Sequence, residues 1–137
     1  MCPQIVPEKA ARVQSGTSIV KVLQLTGEPC LEIELAWGDR VQRIVPIELD
    51  GETLRVTIYL WDGSTLRVTE QWHGQRLLRY SYYWLTHANE LQTGWDNAPH
   101  HTHLTNFPHH KHLGSQGNPQ PSFQTTLDQV LAVALGD

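Results

Sequence analysis

Thr53-Leu54-Arg55-Val56-Thr57-Ile58-Tyr59-Leu60-Trp61-Asp62-Gly63-Ser64-Thr65-Leu66-Arg67-Val68-Thr69-Glu70-Gln71-Trp72 decides the fold. Leu54, Val56, Ile58 and Leu60 alternate with Arg55, Thr57 and Tyr59; Leu66, Val68 and Trp72 alternate with Arg67, Thr69 and Gln71. A period of two with one apolar set describes antiparallel strands buried on a single face. Parity then selects the loop. A two-residue turn at Asp62-Gly63 pairs Trp61 with Ser64 and sets Ile58 against Arg67, sending half the pattern to the wrong face. A three-residue loop, Trp61-Asp62-Gly63 with Gly63 left-handed, pairs Leu60 with Ser64, Ile58 with Leu66 and Val56 with Val68. The same register places Arg55, Arg67 and Arg79 on the opposite face, either as solvated charges or as a basic track for a polyanion. Glu70 interrupts the apolar series. It either reaches water near a strand end or, buried beside aromatics, serves as an acid or base.

The pattern extends in both directions. Leu78, Tyr80, Tyr82 and Trp84 alternate with Arg79, Ser81 and Tyr83 after a His73-Gly74 turn, and Leu91 to Trp95 reads as a last strand. Upstream, Val41 to Leu49 contains Pro46 and fits an edge, while Leu31, Ile33 and Leu35 alternate with Glu32 and Glu34. Residues 1–16 are irregular around Pro3 and Pro7, with a short helix over Glu8–Val13. Near the end, Thr126-Leu127-Asp128-Gln129 resembles a capping box, and Leu127, Val130, Leu131 and Ala134 share a helix face. The 137 residues form one domain. Its class is α+β: an antiparallel β-meander over about 17–96, a long His-rich loop over about 97–124, and a short C-terminal helix over about 126–135 packed on the sheet.

Composition narrows the function. The chain is 39% hydrophobic with a formal charge of -4, which excludes disorder and a basic surface overall. No apolar run approaches the roughly 18–20 residues of a membrane span, and the first residues lack the pattern of a signal peptide. Cys2 and Cys30 read as reduced thiols, so a cytoplasmic protein without membrane contact is expected.

Six of the eight histidines fall between His100 and His112, and no Asp or Glu lies between Asn97 and Leu127. This stretch is therefore locally neutral to positive in an acidic protein and suits a phosphate backbone. In a first reading the histidines cleave RNA without metal or other cofactor. One imidazole takes the 2′-hydroxyl proton, another protonates the leaving oxygen, and a cation stabilises charge on phosphorus. His110 and His112 project to one side of an extended chain with Lys111 between them. Asp96 orients a histidine, and Arg79 supplies positive charge. Glu70 and Tyr80 are secondary candidates. In a second reading a divalent metal is bound by His100, His103, His109 or His112 with Asp96, giving a metal-binding protein or hydrolase. A third reading is a non-catalytic module whose loop binds a partner.

Several of these residues form motifs in a familiar order. Asp62-Gly63-Ser64, Glu70, Tyr80-Ser81-Tyr82, Asp96-Asn97-Ala98-Pro99-His100-His101, Phe107-Pro108-His109-His110-Lys111-His112 and the helix over Leu127–Leu135 together resemble the TumE family. That family comprises toxin halves of type II toxin–antitoxin pairs. The likeness runs from about Thr53 to Asp137. It departs before the Asp-Asn pair, where a basic residue is common in the family and this chain has Thr93-Gly94-Trp95. The resemblance implies an α+β fold, a cytoplasmic protein, a helix-turn-helix antitoxin as partner, and growth inhibition by cleavage of free or ribosome-bound RNA.

Overall fold

The computed structural model describes residues 38–136. The expected helix over Glu8–Val13, the strands before Gly38 and both cysteines lie outside the described residues. A 3-10 turn, Gly38–Arg40, leads into seven strands: β1 (Val41–Leu49), β2 (Thr53–Leu60), β3 (Thr65–His73), β4 (Arg76–Leu85), β5 (Leu91–Asp96), β6 (His110–Leu113) and β7 (Pro119–Pro121). They lie in sequence order in one sheet, every neighbouring pair antiparallel. One helix follows, α1 (Leu127–Ala134).

The β2–β3 hairpin has the register that parity requires. Ile58 faces Leu66 and Val56 faces Val68, Leu60 N–H donates to the Ser64 carbonyl at 2.9 Å, and Gly63 has φ 87°. That φ lies in the left-handed region, where a side chain is strained. Among the described residues β1 is an edge strand, and it shifts register between Pro46 and Glu48, as a residue without an N–H demands.

Two parts depart from the sequence pattern. In β4 the alternation fails at Leu78, which is 46% exposed. The β3–β4 register slips between Gln71 and Trp72, so that Trp72 pairs with Leu77 while Gln71 pairs with Arg79. Leu78 is the extra residue of a bulge, and Leu77 takes its place against the core. The segment read as loop carries β6 and β7. Four mostly polar residues hold a strand there because β5 offers a ladder, Asp96 pairing with His110 and Gly94 with His112.

Paired residues on adjacent strands point to the same side of a sheet. One face holds the row Val56, Val68, Tyr82, Trp95 and Lys111, and α1 packs on it through Leu127, Val130, Leu131 and Ala134. The helix starts at Thr126, whose hydroxyl accepts from Gln129 N–H at 3.4 Å, while the Gln129 side chain accepts from Thr125 N–H at 2.8 Å. This is close to the expected box, shifted by one residue. Among the described residues the other face has no helix; it carries the row Arg55, Thr69, Ser81, Asp96 and His110, flanked by Thr57, Arg67, Tyr83, Gly94 and His112.

Candidate functional site

β5 and β6 build the site because their paired ends put polar side chains on the face opposite α1. Asp96 lies directly across from His110. His110 Nε2 is 3.0 Å from Asp96 Oδ1, and His112 Nε2 is 3.8 Å from Asp96 Oδ2. The carboxylate is aimed by its own backbone, since Oδ1 also accepts from Ala98 N–H at 2.9 Å. His110 and His112 are 2% and 5% exposed, and their rings meet edge-on with centroids 5.0 Å apart.

The tautomer of His110 follows from its partners. Its Nδ1 is 3.0 Å from the Pro108 carbonyl, a group that only accepts, so Nδ1 carries a proton; Nε2 faces Asp96 and donates to it only in the doubly protonated ring. His112 Nδ1 is buried with no partner at hydrogen-bonding geometry, although the nearby Gln116 backbone favours the protonated ring. Burial first, and then the charge of His110, push the His112 pKa below its ordinary value.

A third imidazole completes the centre. His101, half-buried, packs edge-on against His110 at 5.1 Å and His112 at 6.2 Å between centroids. One nitrogen from each of His101, His110 and His112 lies within 4.8 Å of the others. The sequence reading passed over His101 in favour of its neighbours. Its backbone has φ 57°, an uncommon left-handed state for a side-chain-bearing residue, and nothing local in Pro99-His100-His101-Thr102-His103 announces it. Of the four histidines suggested for a metal, only His112 belongs to this group. His100 and His103 are exposed and touch only the outer side of His101, with centroids 6.2 Å from it.

The remaining predicted residues lie apart. Lys111 points to the helix face, in the row with Trp95, so it does not supply charge beside His110 and His112. Arg79 stays on the face of the centre, exposed, two residues along β4 from Ser81, the partner of Asp96.

Tyr80 and Glu70 belong to the helix face. Tyr80 stacks on Tyr82 at 4.9 Å, and its hydroxyl is 3.0 Å from His109 Nδ1. Burial, then the charge of Asp96, raise the Tyr80 pKa; burial, then His110, lower that of His109. A protonated phenol therefore donates to a neutral imidazole. Glu70 is 0% exposed, so it does not reach water. It accepts from Trp72 Nε1 at 2.8 Å and from the Tyr82 hydroxyl.

Asn97, part of the Asp96–His101 motif but given no role there, has a clear one. Its Oδ1 accepts from Tyr80 N–H at 2.9 Å and its Nδ2 donates to the Leu78 carbonyl at 3.0 Å. The side chain thus continues the ladder past the end of β5 and fixes the residue that follows Asp96.

No helix among the described residues is long and apolar enough to cross a membrane. No curated protein and no solved structure matches the chain. A family model described as "Toxin TumE" matches residues 37–137, a span that contains all seven strands, the helix and every residue of the histidine centre. The chain belongs to the TumE toxin family.

Proposed function

We propose that this protein is the growth-inhibiting toxin of a type II toxin–antitoxin pair, neutralised by a helix-turn-helix antitoxin, and that it cleaves RNA at the centre formed by Asp96, His101, His110 and His112. The observation that carries the reading is the cluster of three imidazoles, two of them against the Asp96 carboxylate, on the face opposite α1 that also bears Arg55, Arg67 and Arg79. Cleavage by a 2′-hydroxyl needs proton transfer at two oxygens and positive charge at phosphorus. Half-buried His101 is the imidazole that a polymer reaches first. His110 and His112 lie beneath it and set its position and the local charge. Arg67 and Arg79 extend positive charge along the sheet, Arg55 being met by Glu48 at 3.9 Å, in a protein of net charge -4, so affinity is local and ribosome-bound message serves as well as free RNA.

Induction of the wild-type chain alone is expected to slow growth, with cleaved transcripts accumulating. His112→Ala is expected to restore growth at equal protein level. Arrest that persists unchanged in a folded His112→Ala variant overturns the assignment of this centre.

A further inference from the structure

The centre gathers three imidazoles and a carboxylate, and one buried ring nitrogen, His112 Nδ1, has no hydrogen-bond partner. Asp96 offers two oxygens, one toward His110 Nε2 at 3.0 Å and one toward His112 Nε2 at 3.8 Å, and a nitrogen of His101 lies within 4.8 Å of one on each of those two rings. We propose that His101, His110, His112 and Asp96 bind one divalent transition-metal ion of the zinc class.

Four features support this. First, the donor spacing is close to that of an occupied site. Ligand atoms at ~2.0–2.1 Å from a tetrahedral ion stand about 3.4 Å apart, and three nitrogens within 4.8 Å of one another reach that by small side-chain rotations. Second, the donors are imidazole and carboxylate without thiolate. That mixture suits zinc, manganese, iron or nickel, and the preponderance of nitrogen argues against calcium and magnesium. Third, the supporting contacts are those that metal-binding histidines use. His110 Nδ1–H donates to the Pro108 carbonyl at 3.0 Å, which fixes the ring and turns Nε2 inward. Asp96 is steadied by Ala98 N–H. Fourth, His110 and His112 are almost inaccessible, so neither ring can touch a phosphodiester directly. An ion held between them and half-buried His101 presents their combined effect outward, as positive charge at a phosphate oxygen. Lys111, on the other face, does not provide that charge.

The inference deepens the proposed RNA cleavage but is tested without it. The full chain, purified without a histidine tag and stripped with EDTA, is titrated with Zn2+ by calorimetry, and Co2+ absorption reports the ligand field. The expected result is one equivalent bound, with affinity reduced at least tenfold in His101→Ala and in Asp96→Asn and unchanged in His103→Ala, whose ring is exposed. Circular dichroism confirms that each variant is folded. Absence of stoichiometric binding to the wild type overturns the inference. So does an equal loss in His103→Ala, which marks loose capture by surface histidines. RNA cleavage that survives EDTA in protein binding no metal removes the ion and leaves the nuclease reading standing. Stoichiometric binding without RNA cleavage does the reverse.

Discussion

Glu70 and Asp96 are two carboxylates set into the same sheet, one on each face, and they have been given different company. Glu70 faces an indole N–H and a phenol, from Trp72 and Tyr82. Both donate at any pH near neutrality, neither gives up its proton, and burial with the charge of Glu70 itself drives the Tyr82 pKa well upward. Asp96 faces imidazoles, which donate, accept or ligate according to what approaches. The first arrangement is closed and can only hold the fold. The second is open to exchange, and its outermost ring, His101, is half-buried rather than sealed. Burial and hydrogen bonding alone do not distinguish the two carboxylates; the ambivalence of their partners does.

The largest expected effect tests the closed side. Glu70→Ala strands the Trp72 and Tyr82 donors in the core and opens a cavity, costing about 3–5 kcal/mol. Glu70→Gln, which keeps one acceptor, should cost about half as much. Urea denaturation measures both. A Glu70→Ala variant as stable as wild type would show that the network contributes nothing to the fold.

Asp96→Asn tests the open side. It retains an oxygen for Ala98 N–H, so stability should change by less than about 1 kcal/mol, while growth arrest disappears. If Asp96→Asn and Glu70→Ala lose stability equally, the contrast between the faces fails, and Asp96 is another structural acid.

How far the sequence foretold this contrast depends on what each region rests upon. Residues 53–72 were legible because local alternation and the Gly63 turn agree with the final register. The bulge at Leu78 was not, since an apolar residue at an apolar position gives no sign that its partner strand slips. β6 was hidden for another reason. His110-Lys111-His112-Leu113 has weak strand preference and becomes one through the ladder of β5. The pairing of His110 with Asp96 and the inward turn of His101 follow from that ladder and from a left-handed backbone, neither of which a linear pattern encodes. The separation of Lys111 from its neighbours, by contrast, follows from alternation alone. It was available from the moment that an extended chain was assumed.

Gly94→Ala perturbs the open side from beneath. A Cβ there would lie 2.7 Å from the Tyr83 ring, and Gly94 pairs with both Tyr83 and His112. Overpacking of this kind costs about 1–3 kcal/mol. In a Tyr83→Ala background Gly94→Ala should cost much less than it does in the wild type. Simple additivity in that cycle would mean that the ring yields without strain.

Asp62 supplies a third carboxylate and a small effect with no consequence expected for growth arrest. It sits in the exposed β2–β3 loop and accepts from Ser64 N–H at 3.0 Å and from the Ser64 hydroxyl, which in turn accepts from Trp84 Nε1 at 3.1 Å. The Ser64 side-chain bond is the main reason that the Asp62 pKa lies below its ordinary value. The folded state therefore favours the ionised form. Its contribution is present above the unfolded carboxyl pKa of about 3.9 and is lost as pH falls through the lower folded value. Asp62→Ala should cost about 1 kcal/mol at pH 7, and the difference from wild type should vanish in strong acid. Water reaches Asp62 and substitutes for what is removed, whereas it cannot reach Glu70. A loss at Asp62 as large as that at Glu70 would mean that the number of donors, and not their enclosure, sets the strength of these carboxylate contacts.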